Sequence, residues 1–188
     1  VCHSDGSLFF TDPDKRVPYA NREIPWPAGI DNTWDGARVY RIAPDGSVSV
    51  CAQCEYPNGL AFSPDERTLY VANTRSSKYI HGLHLHAGGK LLRRSIFADM
   101  NEGELPGIPD GLRVDSLGRV YCTGPGGIWV FTPDGKRVGI IAFPEQAVNF
   151  AFGGADLRTL FCCAHTSVYS LRMKVSGNPH PWYRLRES

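Results

Sequence analysis

The 188-residue sequence has no long hydrophobic run and almost no net charge. Its longest apolar stretches, such as residues 160–164, are far shorter than the roughly 20 residues that a membrane-spanning helix needs. Lysine and arginine total 20 against 19 acidic residues, so the formal charge is only +1. This balance gives no excess of positive charge that would attract nucleic acid or an anionic membrane, and we expect neither as a partner.

Cysteine is also scarce, and the Gly-x-Ser-x-Gly motif of serine hydrolases is missing. Several of the six cysteines lie in apolar, strand-like runs, where a cysteine usually acts as a small buried hydrophobic residue. Cys51 and Cys54 form a single pair, whereas a structural zinc site requires a second one. We therefore interpret both as structural and expect a reduced, cytoplasmic protein.

Glycine, proline and aromatic residues are plentiful, which indicates short strands joined by tight turns. One turn-and-strand unit occurs four times, with anchor residues Leu8, Leu69, Val120 and Leu160 separated by 61, 51 and 40 residues. Strand-rich units repeated at such periods are typical of a β-propeller. The sequence therefore predicts an all-β fold.

Each unit continues into a second hairpin, marked by Asp-Gly at Asp45-Gly46 and Asp134-Gly135 and by Gly-Gly at Gly88-Gly89. Two hairpins per unit predict blades of four antiparallel strands. Because a propeller must close to hide its strand edges, four blades alone are incomplete. We expect residues 1–188 to be one partial propeller domain whose N-terminal part is missing, with possible self-association through the open edges. The expected blades are 1–52, 57–99, 109–143 and 149–175, followed by a tail over 176–188.

The same four-residue pattern opens two equivalent inner strands, as Pro57-Asn58-Gly59-Leu60 and Pro109-Asp110-Gly111-Leu112. Oxygen-bearing side chains at such positions converge if the blades surround an axis. Amide and carboxylate oxygens are the ligands that hard metal ions prefer. Asn58 and Asp110 are therefore the candidate metal ligands. The alternative is that both are ordinary turn residues between proline and glycine.

Four segments of the sequence, residues 57–73, 109–115, 123–136 and 149–156, resemble the senescence-marker-protein/gluconolactonase (regucalcin-like) family of six-bladed propellers. The resemblance implies a lactonase that opens sugar-type lactones with one divalent cation on the propeller axis. Calcium is the expected cation, with zinc, magnesium or manganese as alternatives. Asn58 and Asp110 match two of the family's metal ligands, and a third, a glutamate, would lie upstream of Val1.

A carboxylate beside a dication is held ionised, so Asp110 is expected to act as ligand and also as the general base for water. The cation would polarise the lactone carbonyl and stabilise the developing oxyanion. Two alternatives stay open, because one fold can host many functions. The first is a non-catalytic propeller that binds a partner, and the second is a related organophosphate or ester hydrolase.

Other polar residues are weaker candidates for the functional site. The segment from Asp12 to Asp35 is long enough to be a lid, or an ordinary surface excursion. Val148 and not Asn149 aligns with Asn58, and a one-residue shift turns a side chain to the other face, so Asn149 is excluded. Two residues at strand ends near the rim, Asn73 and Thr123, also remain candidates. Three histidines, His81, His84 and His86, suggest a zinc site, but His84 and His86 share one face of a strand, which we interpret as half-buried alternation on a solvated face.

Overall fold

The computed structural model describes residues 1–13, 37–75, 77–102 and 104–180. In these ranges the chain forms antiparallel sheets, and no helix is long and apolar enough to cross a membrane. The all-β prediction is therefore confirmed. The strands are β1 (Leu8–Asp12), β2 (Arg38–Ile42), β3 (Val48–Gln53), β4 (Pro57–Phe62), β5 (Thr68–Asn73), β6 (Tyr79–Leu85), β7 (Leu91–Asp99), β8 (Leu112–Val114), β9 (Val120–Gly124), β10 (Gly127–Phe131), β11 (Arg137–Ile141), β12 (Ala147–Gly153), β13 (Thr159–Ala164) and β14 (Val168–Arg172).

The strands form four consecutive sheets, the blades of an incomplete β-propeller. Blade 1 has the order β1-β2-β3, blade 2 β4-β5-β6-β7, blade 3 β8-β9-β10-β11 and blade 4 β12-β13-β14. Four strands were predicted in each blade, but the described residues give the two outer blades three. In blade 1, the place of the fourth strand is taken by an isolated bridge between Cys2 and Leu8. Beyond β14 the chain leaves blade 4, and Gly177 bridges to Asp115 of blade 3.

In all four blades the turn that precedes the anchor residue has a residue in the left-handed region, with φ of 89° at Gly6, 57° at Glu66, 79° at Gly118 and 53° at Leu157. Glycine accepts this conformation without a steric penalty, whereas glutamate and leucine do not. The geometry of the repeat is therefore kept even where its sequence departs from glycine.

Alternating side chains of each strand contact different neighbouring blades. In β5, Leu69 and Val71 pack against blade 1, while Tyr70 and Ala72 pack against blade 3. This is the two-sided burial expected of a sheet between two others. The strands that begin the inner edge of each blade, β4, β8 and β12, consequently lie side by side around the axis, with β4 against β8 and β8 against β12.

The outward faces of the first and last blades have no described sheet packed on them. Phe10 in blade 1 corresponds to Val71, and Phe161 in blade 4 corresponds to Tyr70. Phe10 is 39% exposed and Phe161 43%, against 0% for Val71 and 5% for Tyr70. Both outer faces are thus apolar surfaces of the kind that the inner blades bury.

Candidate functional site

Asn58 and Asp110 lie next to each other where blade 2 meets blade 3. Asn58 is the second residue of β4, and Asp110 comes two residues before β8. The backbone amide of Gly59 donates a 3.0 Å hydrogen bond to the carbonyl oxygen of Asp110. The Asn58 side chain is also near enough to the Asp110 carboxyl group to lower its pKa. The structure therefore brings together the two residues that the repeated sequence pattern singled out, and both are half-buried.

The glycine after each of these residues permits the close approach of neighbouring inner strands. A Cβ atom on Gly59 would lie 2.0 Å from the Asp110 carbonyl oxygen, and one on Gly111 would lie 2.6 Å from Oδ1 of Asn149. Neither glycine has a positive φ. They are required for close packing of backbones rather than for a left-handed turn, which is a role that sequence reasoning did not assign.

The backbone hydrogen bond between neighbouring blades recurs at the next boundary. There the Gly111 amide donates a 3.2 Å hydrogen bond to the carbonyl oxygen of Val148. Val148 thus holds the position that Asp110 holds one blade earlier, as the alignment of the repeats predicted. Asn149 lies one residue further on, and its Oδ1 accepts a 2.8 Å hydrogen bond from the amide of Phe150. A valine side chain offers no ligand atom at this third boundary.

Burial raises the pKa of Asp110 above its ordinary value, and the nearby Asn58 side chain only partly opposes this shift. A carboxylate held in this way is stabilised by a proton or by a cation. The donor set of one carboxylate and one amide oxygen fits a hard divalent cation. Within the described ranges no cluster of three or more His, Cys, Asp or Glu side chains could complete a site. Water and other residues would have to supply the remaining ligands.

Two threonine hydroxyls hold the backbone of the candidate site. Thr123 Oγ1 accepts a 3.0 Å hydrogen bond from the Asp110 amide and donates one of 3.1 Å to the carbonyl oxygen of Ile108. Thr11 Oγ1 donates a 2.8 Å hydrogen bond to the carbonyl oxygen of Asn58. Thr123 is fully buried and contacts the backbone, so the structure places it as a support of the Asp110 loop.

A third threonine contacts a candidate ligand side chain directly. Thr74 Oγ1 is 3.0 Å from Nδ2 of Asn58 and 2.7 Å from the carbonyl oxygen of Pro109. Sequence reasoning missed Thr74 and Thr11. Thr74 lies outside the repeated unit. Thr11 occupies in the first unit the place that Thr123 occupies in the third, and this alignment could have drawn attention to it.

The other sequence candidates do not join this site. Asn73 is fully buried, and its side chain accepts a hydrogen bond from the Tyr56 amide at 2.8 Å and donates one to the carbonyl of Ser77 at 2.8 Å. His84 is hydrogen-bonded within its own blade, to Thr68 and Ser95. All but the first two residues of the segment proposed as a lid lie outside the described residues.

A cavity of about 470 Å³ adjoins the inner strands beside the candidate site. Gly59, Ala61, Arg113 and Asn149 are among the residues that line it, whereas Asn58 and Asp110 are not. Burial lowers the pKa of the Arg113 guanidinium, which lies on β8. The cavity and the Asn58–Asp110 pair are thus neighbouring but separate features.

Known proteins resemble this chain in sequence and in fold. The family model described as "SMP-30/Gluconolactonase/LRE-like region" matches residues 1–166. The chain belongs to this family. The predicted family resemblance is confirmed, and the incomplete propeller described above is the fold of a family member.

Three similar proteins carry lactonase names. Over 179 residues, the chain is 35% identical to the gluconolactonase of Zymomonas mobilis, covering 92% of the chain and 49% of that protein. Identity to the pentonolactonase XacC of Haloferax volcanii is 32%, covering 67% of the chain and 44% of that protein. The solved structure of a Xanthomonas campestris gluconolactonase has a TM-score of 0.74 and 35% identity, covering 91% of the chain and 55% of that structure. The chain spans about half the length of these relatives.

Proposed function

We propose that this chain carries part of the active site of a divalent-metal-dependent lactonase that opens sugar-type lactones. The observation that supports this best is the 3.0 Å backbone hydrogen bond from Gly59 to Asp110, which places the half-buried residues Asn58 and Asp110 side by side at a blade boundary. The names of the similar proteins, gluconolactonase and pentonolactonase, give the substrate class. A cytoplasmic location stays a prediction.

Asn58 and Asp110 are the residues of this chain that would hold the cation, with calcium proposed and zinc, magnesium or manganese as alternatives. When bound, the cation would polarise the lactone carbonyl and lower the pKa of water near it. The remaining ligands would come from water and from other parts of the protein.

Asp110 is proposed as the general base. Its carboxylate accepts a proton from the water that attacks the carbonyl carbon, while the carbonyl becomes a tetrahedral oxyanion. Collapse of this intermediate breaks the ring C–O bond. The ring oxygen takes the proton from Asp110 and leaves as a hydroxyl group, so the carboxylate is regenerated and the product is a hydroxy acid. The Gly59 amide, which donates to the Asp110 carbonyl oxygen, and the Thr123 hydroxyl, which accepts from the Asp110 amide, hold the backbone of Asp110 during this exchange.

Hydrolysis of gluconolactone followed in a pH-stat tests the proposal in the protein that carries this chain. We expect activity above the uncatalysed background, loss of that activity with a chelator, and recovery when a divalent cation is restored. Asp110→Asn should lower kcat about 100-fold or more, because a positioned base typically contributes 10²–10⁴-fold. Activity that survives both the chelator and the substitution would overturn the mechanism.

The two alternatives give different results in the same assay. A non-catalytic binding propeller would show no turnover of any lactone or ester, with or without added cation. An organophosphate or ester hydrolase would turn over a phosphotriester or aryl ester faster than the lactone. The site itself favours catalysis, because a binding module has no need for a half-buried carboxylate whose pKa burial has raised.

A further inference from the structure

Thr74 lies between the two candidate ligand segments. It directly follows β5, is 6% exposed, and is anchored by a 3.1 Å hydrogen bond from its own amide to the carbonyl of Tyr56. Its hydroxyl contacts the side chain of Asn58 on blade 2 and the backbone of Pro109, which precedes Asp110 on blade 3. One hydroxyl group therefore joins both halves of the candidate site.

The direction of these hydrogen bonds follows from chemistry. A backbone carbonyl can only accept, so the single hydroxyl proton of Thr74 is donated to Pro109 at 2.7 Å. The hydroxyl must then accept from Asn58, and the atom of Asn58 that faces it at 3.0 Å must be Nδ2. The two ends of an amide are otherwise hard to distinguish. Here the hydrogen bond to the Pro109 carbonyl determines that the nitrogen end of the Asn58 amide faces Thr74.

The opposite end of the Asn58 amide is its oxygen atom, Oδ1. In the described part of the chain, Oδ1 of Asn58 accepts no hydrogen bond. Oδ1 is therefore the available oxygen of this side chain, and it is held in place from the nitrogen side.

We propose that Thr74 is a positioning residue that presents Oδ1 of Asn58, rather than Nδ2, to the cation. This inference rests on the proposed function. Without the Thr74 hydroxyl, the amide could rotate and offer its nitrogen, which cannot bind a cation. The groups that orient metal ligands typically change metal affinity 10–100-fold when they are removed.

The test measures cation binding by isothermal titration of Ca²⁺ into the chelator-treated protein, alongside lactone turnover. Thr74→Val keeps the shape but removes both hydrogen bonds, and we expect Kd to rise at least tenfold. Thr74→Ser keeps the hydroxyl and should restore binding to within about threefold of the wild type. Thr132→Val is the control, because the Thr132 hydroxyl hydrogen-bonds Asp134 and Lys136 in an exposed turn of blade 3.

A double-mutant cycle separates orientation from general structural damage. An aspartate at position 58 has oxygen at both ends, so its orientation no longer matters. In an Asn58→Asp background we expect Thr74→Val to change Kd less than threefold, against at least tenfold in the Asn58 background. If Thr74→Val weakens binding equally in both backgrounds, or in neither, the role of Thr74 is refuted. If the wild type binds no cation, the proposed function fails, and this inference fails with it.

Discussion

The Gly59 amide nitrogen lies 3.0 Å from the Asp110 carbonyl oxygen, and this hydrogen bond joins the two candidate ligand segments across the boundary between blades. The bond forms because Gly59 has no side chain, since a Cβ there would be 2.0 Å from that oxygen. The position of Asp110 therefore depends on a residue that offers no ligand atom.

Gly59→Ala should force the inner strands of blades 2 and 3 apart. We expect a loss of about 1–3 kcal/mol in the free energy of unfolding, as for overpacked sites, together with weaker cation binding. Denaturant unfolding and calcium titration measure the two effects. Gly139→Ala is the matched control, because a Cβ at Gly139 in β11 meets no atom within 4 Å. Equal stability of the two variants would contradict the close-approach role.

Asp110→Asn should stabilise the protein in chelator while it removes activity. Burial raises the pKa of Asp110, so the folded state binds a proton more readily than the unfolded state does. Wild-type stability consequently falls as the pH rises through the carboxyl range, and the variant lacks this loss. Thermal melts at several pH values should show the largest advantage of the variant at neutral pH, shrinking towards acid pH. A variant that melts below the wild type at neutral pH would contradict this account.

His81 should make the protein sensitive to mild acid. Its side chain is 3% exposed, and neither ring nitrogen has a hydrogen-bond partner among the residues that the structure describes. Burial lowers its pKa from 6.5 to about 4, with Arg94 adding to the shift and Glu55 opposing it. The unfolded state therefore gains a proton first, and stability declines as the pH falls from about 6.5 to about 4.

The decline attributable to His81 should amount to about 3 kcal/mol across that window. Urea unfolding at a series of pH values measures it, and His81→Leu should flatten the curve. His86→Ala is the control, because His86 is exposed at the end of the same strand. An unchanged slope in His81→Leu would show that other groups cause the acid sensitivity.

The apolar outer faces of blades 1 and 4 should mediate association between copies of this chain. Phe10 stacks on Tyr40 with ring centroids 5.3 Å apart, and both belong to the face that has no described sheet packed on it. The face of blade 4 carries Phe161. Each face matches one that the inner blades bury, so two copies could pack head to tail.

Sedimentation velocity over a wide range of concentration measures this association. Phe10→Ser and Phe161→Ser should each shift the distribution towards monomer. Leu117→Ser should not, because Leu117 is exposed on a turn away from both faces. A wild-type chain that stays monomeric at every concentration would refute the prediction.

Local sequence signals were sufficient for the all-β propeller architecture, although not for the number of strands in the two outer blades. The turn-and-strand repeat predicted four blades, and the Asp-Gly turns predicted the hairpins, with φ of 84° at both Gly46 and Gly135. These features depend on residues close together in the chain, which a sequence displays directly. The pairing of Asn58 with Asp110 was also predictable, because the repeat itself indicated that equivalent strand starts converge.

The supporting contacts could not be predicted, because each depends on an approach between distant segments. Thr74 meets the Pro109 carbonyl from 35 residues away, and nothing in the neighbouring sequence marks it. The role of Gly59 depends on the distance between two backbones at a blade boundary. The bridge from Gly177 to Asp115 likewise involves a segment that fits no repeat, so its pairing is visible only in three dimensions.

The backbone hydrogen bond from Gly59 to Asp110 has an equivalent from Gly111 to Val148, yet the side chains of the two acceptor residues are a carboxylate and an alkyl group. The backbone geometry at these positions is thus independent of the side chain that the acceptor residue carries. A propeller of this kind could gain or lose ionic character around its centre by single substitutions at the starts of inner strands, without any redesign of how its sheets stack. Diversity of cation preference would then arise from very few changes in the gene.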